Sequence, residues 1–111
     1  MTPENDALLC VMYPKIFVCR NDPVTQSTMG WGFSCGDGWF PLIDVLCARL
    51  QHETDQLGGP QVVASQVKEK YGGLRFYVQG ASAAQHAMID MAEALSERLC
   101  EICGAPGQVE G

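Results

Sequence analysis

At 111 residues the chain is long enough for one domain built on one modest core. Hydrophobic residues at 47% against 18% charged exclude a disordered chain, and a net charge of −6 excludes a surface that holds nucleic acid indiscriminately. No apolar run approaches the roughly eighteen residues of a membrane span, and the opening MTPENDALLCVMYP carries no basic leader, so a cytoplasmic protein is expected.

The first predicted element is a short helix over residues 5–12, capped by Asn5 or Asp6 and ended by Pro14. Cys10 falls among Leu8, Leu9 and Met12, which suits a small buried hydrophobe. Residues 16–19 form a brief apolar run, read as an edge strand, and the polar stretch 20–30, broken by Pro23, reads as a loop. The aromatic, glycine-rich segment 31–40 leads into a helix over 38–56, with Asp37 as its N-cap and Pro41 in its first turn. Trp39, Leu42, Ile43, Leu46 and Leu50 recur at helical spacing, and Gly58-Gly59-Pro60 ends the pattern.

Residues 62–70 supply a strand whose alternation is disturbed by the adjacent Val62 and Val63. Gly72 and Gly73 then mark a hairpin turn, because glycine reaches positive φ without a Cβ penalty. Beyond the turn Leu74, Phe76 and Val78 alternate with Arg75, Tyr77 and Gln79, the period of a strand with one buried face. Ser82 and Gln85 have capping-box spacing and open the last helix. Its apolar stripe reads Met88, Met91, Ala92, Leu95, Leu99 and Ile102, with Asp90, Glu93, Glu97 and Glu101 opposite. The sum is one α+β domain over 1–111: a small antiparallel hairpin sheet packed by two main amphipathic helices, plus a short N-terminal helix.

Six cysteines in a chain with no export signal are more readily thiols or metal ligands than disulfides. Cys100-Glu101-Ile102-Cys103-Gly104 is the sharpest motif: such a turn sets two sulfurs side by side, half of a tetrahedral zinc site. The other ligands would come from Cys10, Cys19, Cys35, Cys47, His52 or His86, with Cys19 and Cys35 favoured for their loop-like surroundings. A plain pair of reduced thiols and a redox pair are the alternatives, although the redox motif needs a βαβ context that this pair lacks.

Asp90, Glu93, Glu97 and Glu101 are spaced to project from one helix face, either as a solvated surface or as a docking surface for a basic partner. Lys68, Lys70, Tyr71, Arg75 and Tyr77 form a basic and aromatic patch on the hairpin, able to stack bases and meet phosphates, or only to protect a strand edge. Cys35 stands before a helix start, where its thiol pKa would fall, and a pairing with His52 or His86 would make a nucleophile. No catalytic residues emerge from this, and no enzyme is expected. Gly36-Asp37-Gly38 is too short to cradle phosphate and reads as a tight turn between the two tryptophans.

The motifs YPKIF (13–17), WGFSCGDGWFPLID (31–44), VKEKYGGLRFYV (67–78) and CEICGAPG (100–107), in this order, resemble a family of small proteins encoded by tailed phages and prophages. The resemblance spans nearly the whole chain. Those relatives continue past the C-x-x-C-G-x-P-G turn with a further Cys and His that complete a zinc knuckle, whereas this sequence stops at Gly111. Only Cys100 and Cys103 carry over as ligands. The resemblance implies a non-enzymatic accessory protein that binds a host or phage protein with a basic surface inside the host cell. An anti-defence inhibitor of the anti-CRISPR kind, working through the acidic helix face, is the specific form expected. The alternative is a small zinc-stabilised nucleic-acid-binding module using the hairpin cations.

Overall fold

In the computed structural model, which describes residues 1–21 and 32–106, helix α1 runs Pro3–Met12. It starts earlier than its sequence suggests. Thr2 is the N-cap, its hydroxyl accepting the Asn5 N–H at 3.3 Å, and Pro3 supplies a helical φ at the first position. Asp6, one of the expected caps, instead meets the Arg20 guanidinium at 3.0 Å. The helix ends at Met12, ahead of Pro14, and buries Leu9.

The expected edge strand at 16–19 is a turn followed by a 3-10 helix at Val18–Asn21. Ile16 and Phe17 are both buried, whereas an edge strand with one inner face would turn one of them outward. One strand-like bond survives, the Ala64 N–H to the Ile16 carbonyl at 2.8 Å. Of the loop expected at 20–30, Arg20 and Asn21 close this 3-10 helix; the rest, with Trp31, lies outside the described residues.

Strand β1 is only Phe33–Ser34, too short to show a period, and it pairs in parallel with β2, Val63–Lys70. β2 pairs antiparallel with β3, Gly73–Gln79, so the sheet is mixed, ordered β1-β2-β3, where a simple hairpin was expected. The turn residues are Tyr71 and Gly72, with φ of 56° and 82°, the twisted two-residue turn that suits a hairpin. Gly73, read from sequence as part of the turn, is the first residue of β3 and pairs with Lys70. The register slips at Ser65, between Ala64↔Val78 and Gln66↔Tyr77. That bulge lets Val62, Ala64 and Val67 all be buried despite their uneven spacing. Leu74 and Phe76 are buried and Val78 half-buried on the inner face, as their alternation predicts.

A 3-10 turn, Asp37–Trp39, feeds helix α2, Phe40–Leu57, which ends on Gly58 in the left-handed conformation. Asp37 does not cap this helix. Its carboxylate accepts the Thr2 N–H at 2.8 Å and the Asn5 amide at 3.2 Å, tying the start of α1 to the start of α2.

Helix α3 covers Ala83–Ser96 and opens with the expected Ser82–Gln85 capping box. Gln85 is fully buried, and its amide donates to the Leu50 carbonyl, the Thr54 hydroxyl and the Pro60 carbonyl at the far end of α2. At the other end the Trp39 indole donates to the Leu99 carbonyl at 3.0 Å. The two helices are therefore antiparallel and stapled at both ends. Phe17 packs edge-on against Phe33 and Phe76, with centroids 5.0 and 6.4 Å away, beneath the sheet's inner face.

The long final stripe is corrected by the structure. α3 stops at Ser96, and it presents Gln85, Ile89, Ala92 and Ser96 to the core. Met91 is 75% exposed, Leu95 47% and Ile102 74%, so three expected core residues face outward. The helix is turned because its polar side chains have backbone partners to reach, described next.

Candidate functional site

The turn Gly36–Trp39 and the turn 99–104 interlock. Gly36 N–H donates to the Glu101 carboxylate at 2.9 Å, and Gly38 N–H donates to the Glu101 carbonyl at 2.6 Å. A Cβ on Gly38 would lie 2.3 Å from the Cys100 carbonyl oxygen and 2.5 Å from the Gly104 nitrogen. One on Gly36 would lie 2.3 Å from the Glu101 carbonyl oxygen. These glycines are there for close approach of backbone to backbone. Turn flexibility, the sequence reading, is the lesser requirement.

The C-x-x-C turn is closed by its own main chain. Gly104 N–H donates to the Cys100 carbonyl at 2.8 Å, Cys100 N–H to the Ala105 carbonyl at 2.9 Å, and Leu99 bridges to Pro106. The Cys100 sulfur accepts from the N–H groups of Cys103, Ile102 and Gly104 and from the Cys103 thiol, which lowers its pKa below the ordinary value. Cys103 is exposed. Such a sulfur pair fits half of a tetrahedral zinc set. The expected partners do not join it: among the described residues no group of three or more His, Cys, Asp or Glu is placed to hold an ion. Cys35 is buried in the core, and Cys19 packs against that core.

The other thiols are shifted the opposite way. Burial pushes Cys35 up to about 12, and burial with the Asp6 carboxylate pushes Cys10 up to about 11. Cys47 is also raised, by near-complete burial. The depressed pKa anticipated for Cys35 is thus reversed, because its sulfur lies in the core rather than at an open helix end. His52 and His86 are exposed on α2 and α3.

The row of four carboxylates does not form one free face. Glu93 accepts the Phe76 N–H at 2.9 Å, and Ser96 accepts the Leu74 N–H at 2.8 Å. Both N–H groups belong to the edge strand β3, so α3 covers the open side of the sheet. Glu101 is turned inward onto Gly36 and lies past the helix end. Asp90 and Glu97 remain exposed, and Glu97 approaches Gly73 alongside the Arg75 guanidinium.

The hairpin patch does assemble. Lys68 and Arg75 are cross-strand neighbours, Lys68 Nζ lies 5.9 Å from the Tyr77 ring centre, and Lys70 Nζ lies 5.6 Å from that of Tyr71. Tyr71 and Tyr77 are exposed, so two aromatic faces and three cations share the outer side of the sheet and its tip.

One surface was missed. The outer side of the α2–α3 pair is a groove flanked by Leu42, Val45 and Arg49 of α2 and by Met88, Met91 and Leu95 of α3, with Leu46 and Ala92 at its floor. Arg49 is the one charged residue among those lining it. Ala84, Ala87 and Ala94 extend the bare face along α3. The alanines were the available signal, since they widen the stripe beyond what one core can cover. Comparison with protein-family models, curated proteins and solved structures found no match.

Proposed function

We propose that this is a non-enzymatic accessory protein of the phage type that acts by gripping another protein with the outer α2–α3 face. The observation that carries this reading is an apolar groove left open to water. Val45 is 61% exposed and Met91 75%, side by side with Leu95 along one groove in which Arg49 is the one charged lining residue. Contiguous apolar surface of that kind marks an interaction site in a small protein. The fitting partner is an apolar helix laid along this groove; Asp90 and Glu97 lie off it, Glu97 beside the Arg75 guanidinium on the sheet side. Glu93 and Glu101, engaged with the fold's own backbone, take no part. Anti-defence inhibition is the specific form of this reading that the resemblance supports.

The test is a comparison of wild-type protein with a Val45→Glu/Met91→Glu variant in binding to a purified candidate partner. Both positions are exposed, so the variant should fold normally while binding falls at least tenfold. Unchanged binding by a folded variant would remove this face from consideration.

A second reading, single-stranded nucleic-acid binding, is favoured by the assembled hairpin patch: Lys68, Lys70, Tyr71, Arg75 and Tyr77. Its signature is affinity that falls steeply with salt and is lost in Lys68→Glu/Arg75→Glu.

A further inference from the structure

Tyr71, at the tip of the β2–β3 hairpin, is the one non-glycine among the described residues with a positive φ, 56°. Asn, Asp or Gly would sit there with little strain, whereas the Cβ of a tyrosine crowds the backbone. The fold gains no core contact in return, because Tyr71 is 86% exposed. The tip is nonetheless held in place, the Glu69 carboxylate accepting the Gly72 N–H at 2.7 Å. A strained aromatic residue fixed in water points to function rather than to packing.

Its surroundings say which ligand fits. Ser34, Lys68 and Arg75 stand in one row across β1, β2 and β3, and Lys70 follows at the tip. Glu69 is the one carboxylate in these three strands, and it shares the inner side with its partner Leu74. On a chain of net charge −6, the outer face of the hairpin is therefore a segregated cationic patch. Glu97 stands beside the Arg75 guanidinium and offsets part of its charge, which leaves Lys68 and Lys70 as the main anion contacts. Lys70 Nζ lies 5.6 Å from the centre of the Tyr71 ring, whose exposure leaves its opposite side open to stack. An acidic peptide would call for the cations alone. A base beside its own phosphate uses a cation and a bare ring together. We infer that Tyr71 is the stacking residue for an unpaired nucleic-acid strand, its ring meeting a base while Lys68 and Lys70 meet the adjoining phosphates. This rests on the second reading above and adds to it the anchoring residue and the unpaired state of the strand.

The experiment measures fluorescence anisotropy of labelled oligothymidylate and oligouridylate at low salt, with urea unfolding of each variant alongside. Tyr71→Gly should raise the urea midpoint, because the backbone strain is relieved, and yet weaken binding about tenfold. Tyr71→Phe, which keeps the ring, should bind within about twofold of wild type. A duplex of equal length and polyglutamate should both compete poorly with the single strand. The tighter of the two probes identifies the sugar, and either result supports the inference. No binding of either probe by the wild type would overturn the second reading and this inference together. Salt-dependent binding that Lys68→Glu/Arg75→Glu abolishes and Tyr71→Gly leaves intact would overturn this inference alone. So would a lowered urea midpoint in Tyr71→Gly, or equal competition by the duplex or by polyglutamate.

Discussion

The Glu93 carboxylate accepts the Phe76 backbone N–H at 2.9 Å, and so seals the edge of β3 from the side of α3. An unpaired strand edge is a template for pairing with other chains, and here a helix side chain occupies it. Glu93→Ala should cost about 1–2 kcal/mol in urea unfolding and promote association, whereas Glu93→Gln, which keeps an acceptor, should cost less. Ser96→Ala leaves the Leu74 N–H buried without its partner and should cost about 1–3 kcal/mol. Stabilities equal to wild type would mean that the edge is sealed by something else.

Gly38 and Gly72 should respond differently to alanine. At Gly38 the added carbon meets backbone atoms at 2.3 and 2.5 Å, which cannot move aside without separating the two turns. Gly38→Ala should cost about 3 kcal/mol or more and shift Trp39 fluorescence as its bond to Leu99 breaks. Gly72 has φ of 82° with nothing within 4 Å of an added carbon, so Gly72→Ala should carry only backbone strain, about 1–2 kcal/mol.

Alkaline pH should weaken the fold. The thiols of Cys35 and Cys10 are raised from 9.0 to about 12 and about 11, chiefly by burial. Above pH 9 the unfolded chain has released these protons while the folded chain keeps them, so stability falls as pH rises. Each such thiol contributes a slope of up to about 1.4 kcal/mol per pH unit between its two values. Urea midpoints at pH 8 and pH 10 measure the fall, and Cys10→Ala should reduce it.

Thiol labelling should follow the same division. At neutral pH an alkylating reagent should modify Cys103 and Cys100 first, one exposed and the other with its pKa lowered by backbone N–H groups. Cys35 and Cys47 should react only on unfolding, which mass mapping of a time course would show.

Val45→Glu/Met91→Glu should leave unfolding free energy within about 0.5 kcal/mol of wild type, because neither side chain is core. A loss of several kcal/mol would place those residues inside the fold.

Much of the architecture was legible wherever a local pattern had a local cause. The Ser82–Gln85 box, the Leu74/Phe76/Val78 alternation and the Gly58 stop are each set by residues a few positions apart. α3 was misread in rotation because Gln85 and Ser96, polar residues, occupy core positions once Leu50, Thr54, Pro60 and Leu74 supply their partners. Hydrophobic periodicity has no means of seeing a buried polar side chain that is satisfied across space. β1 was invisible for its length, and the carboxylate row failed because backbone N–H groups elsewhere claim two of its members. The hairpin cations were legible because alternation alone put Arg75 and Tyr77 on the outer face.

The grip of Gly36, Gly38 and Trp39 on Leu99 and Glu101 joins positions some sixty residues apart. During synthesis the first half of the molecule must wait, its indole and amide donors still bonded to solvent, until that distant turn has left the ribosome. Loop closure over such a span is slow and comes late. A nascent chain stalled before Leu99 therefore lacks this clasp and should be a target for chaperones and proteases.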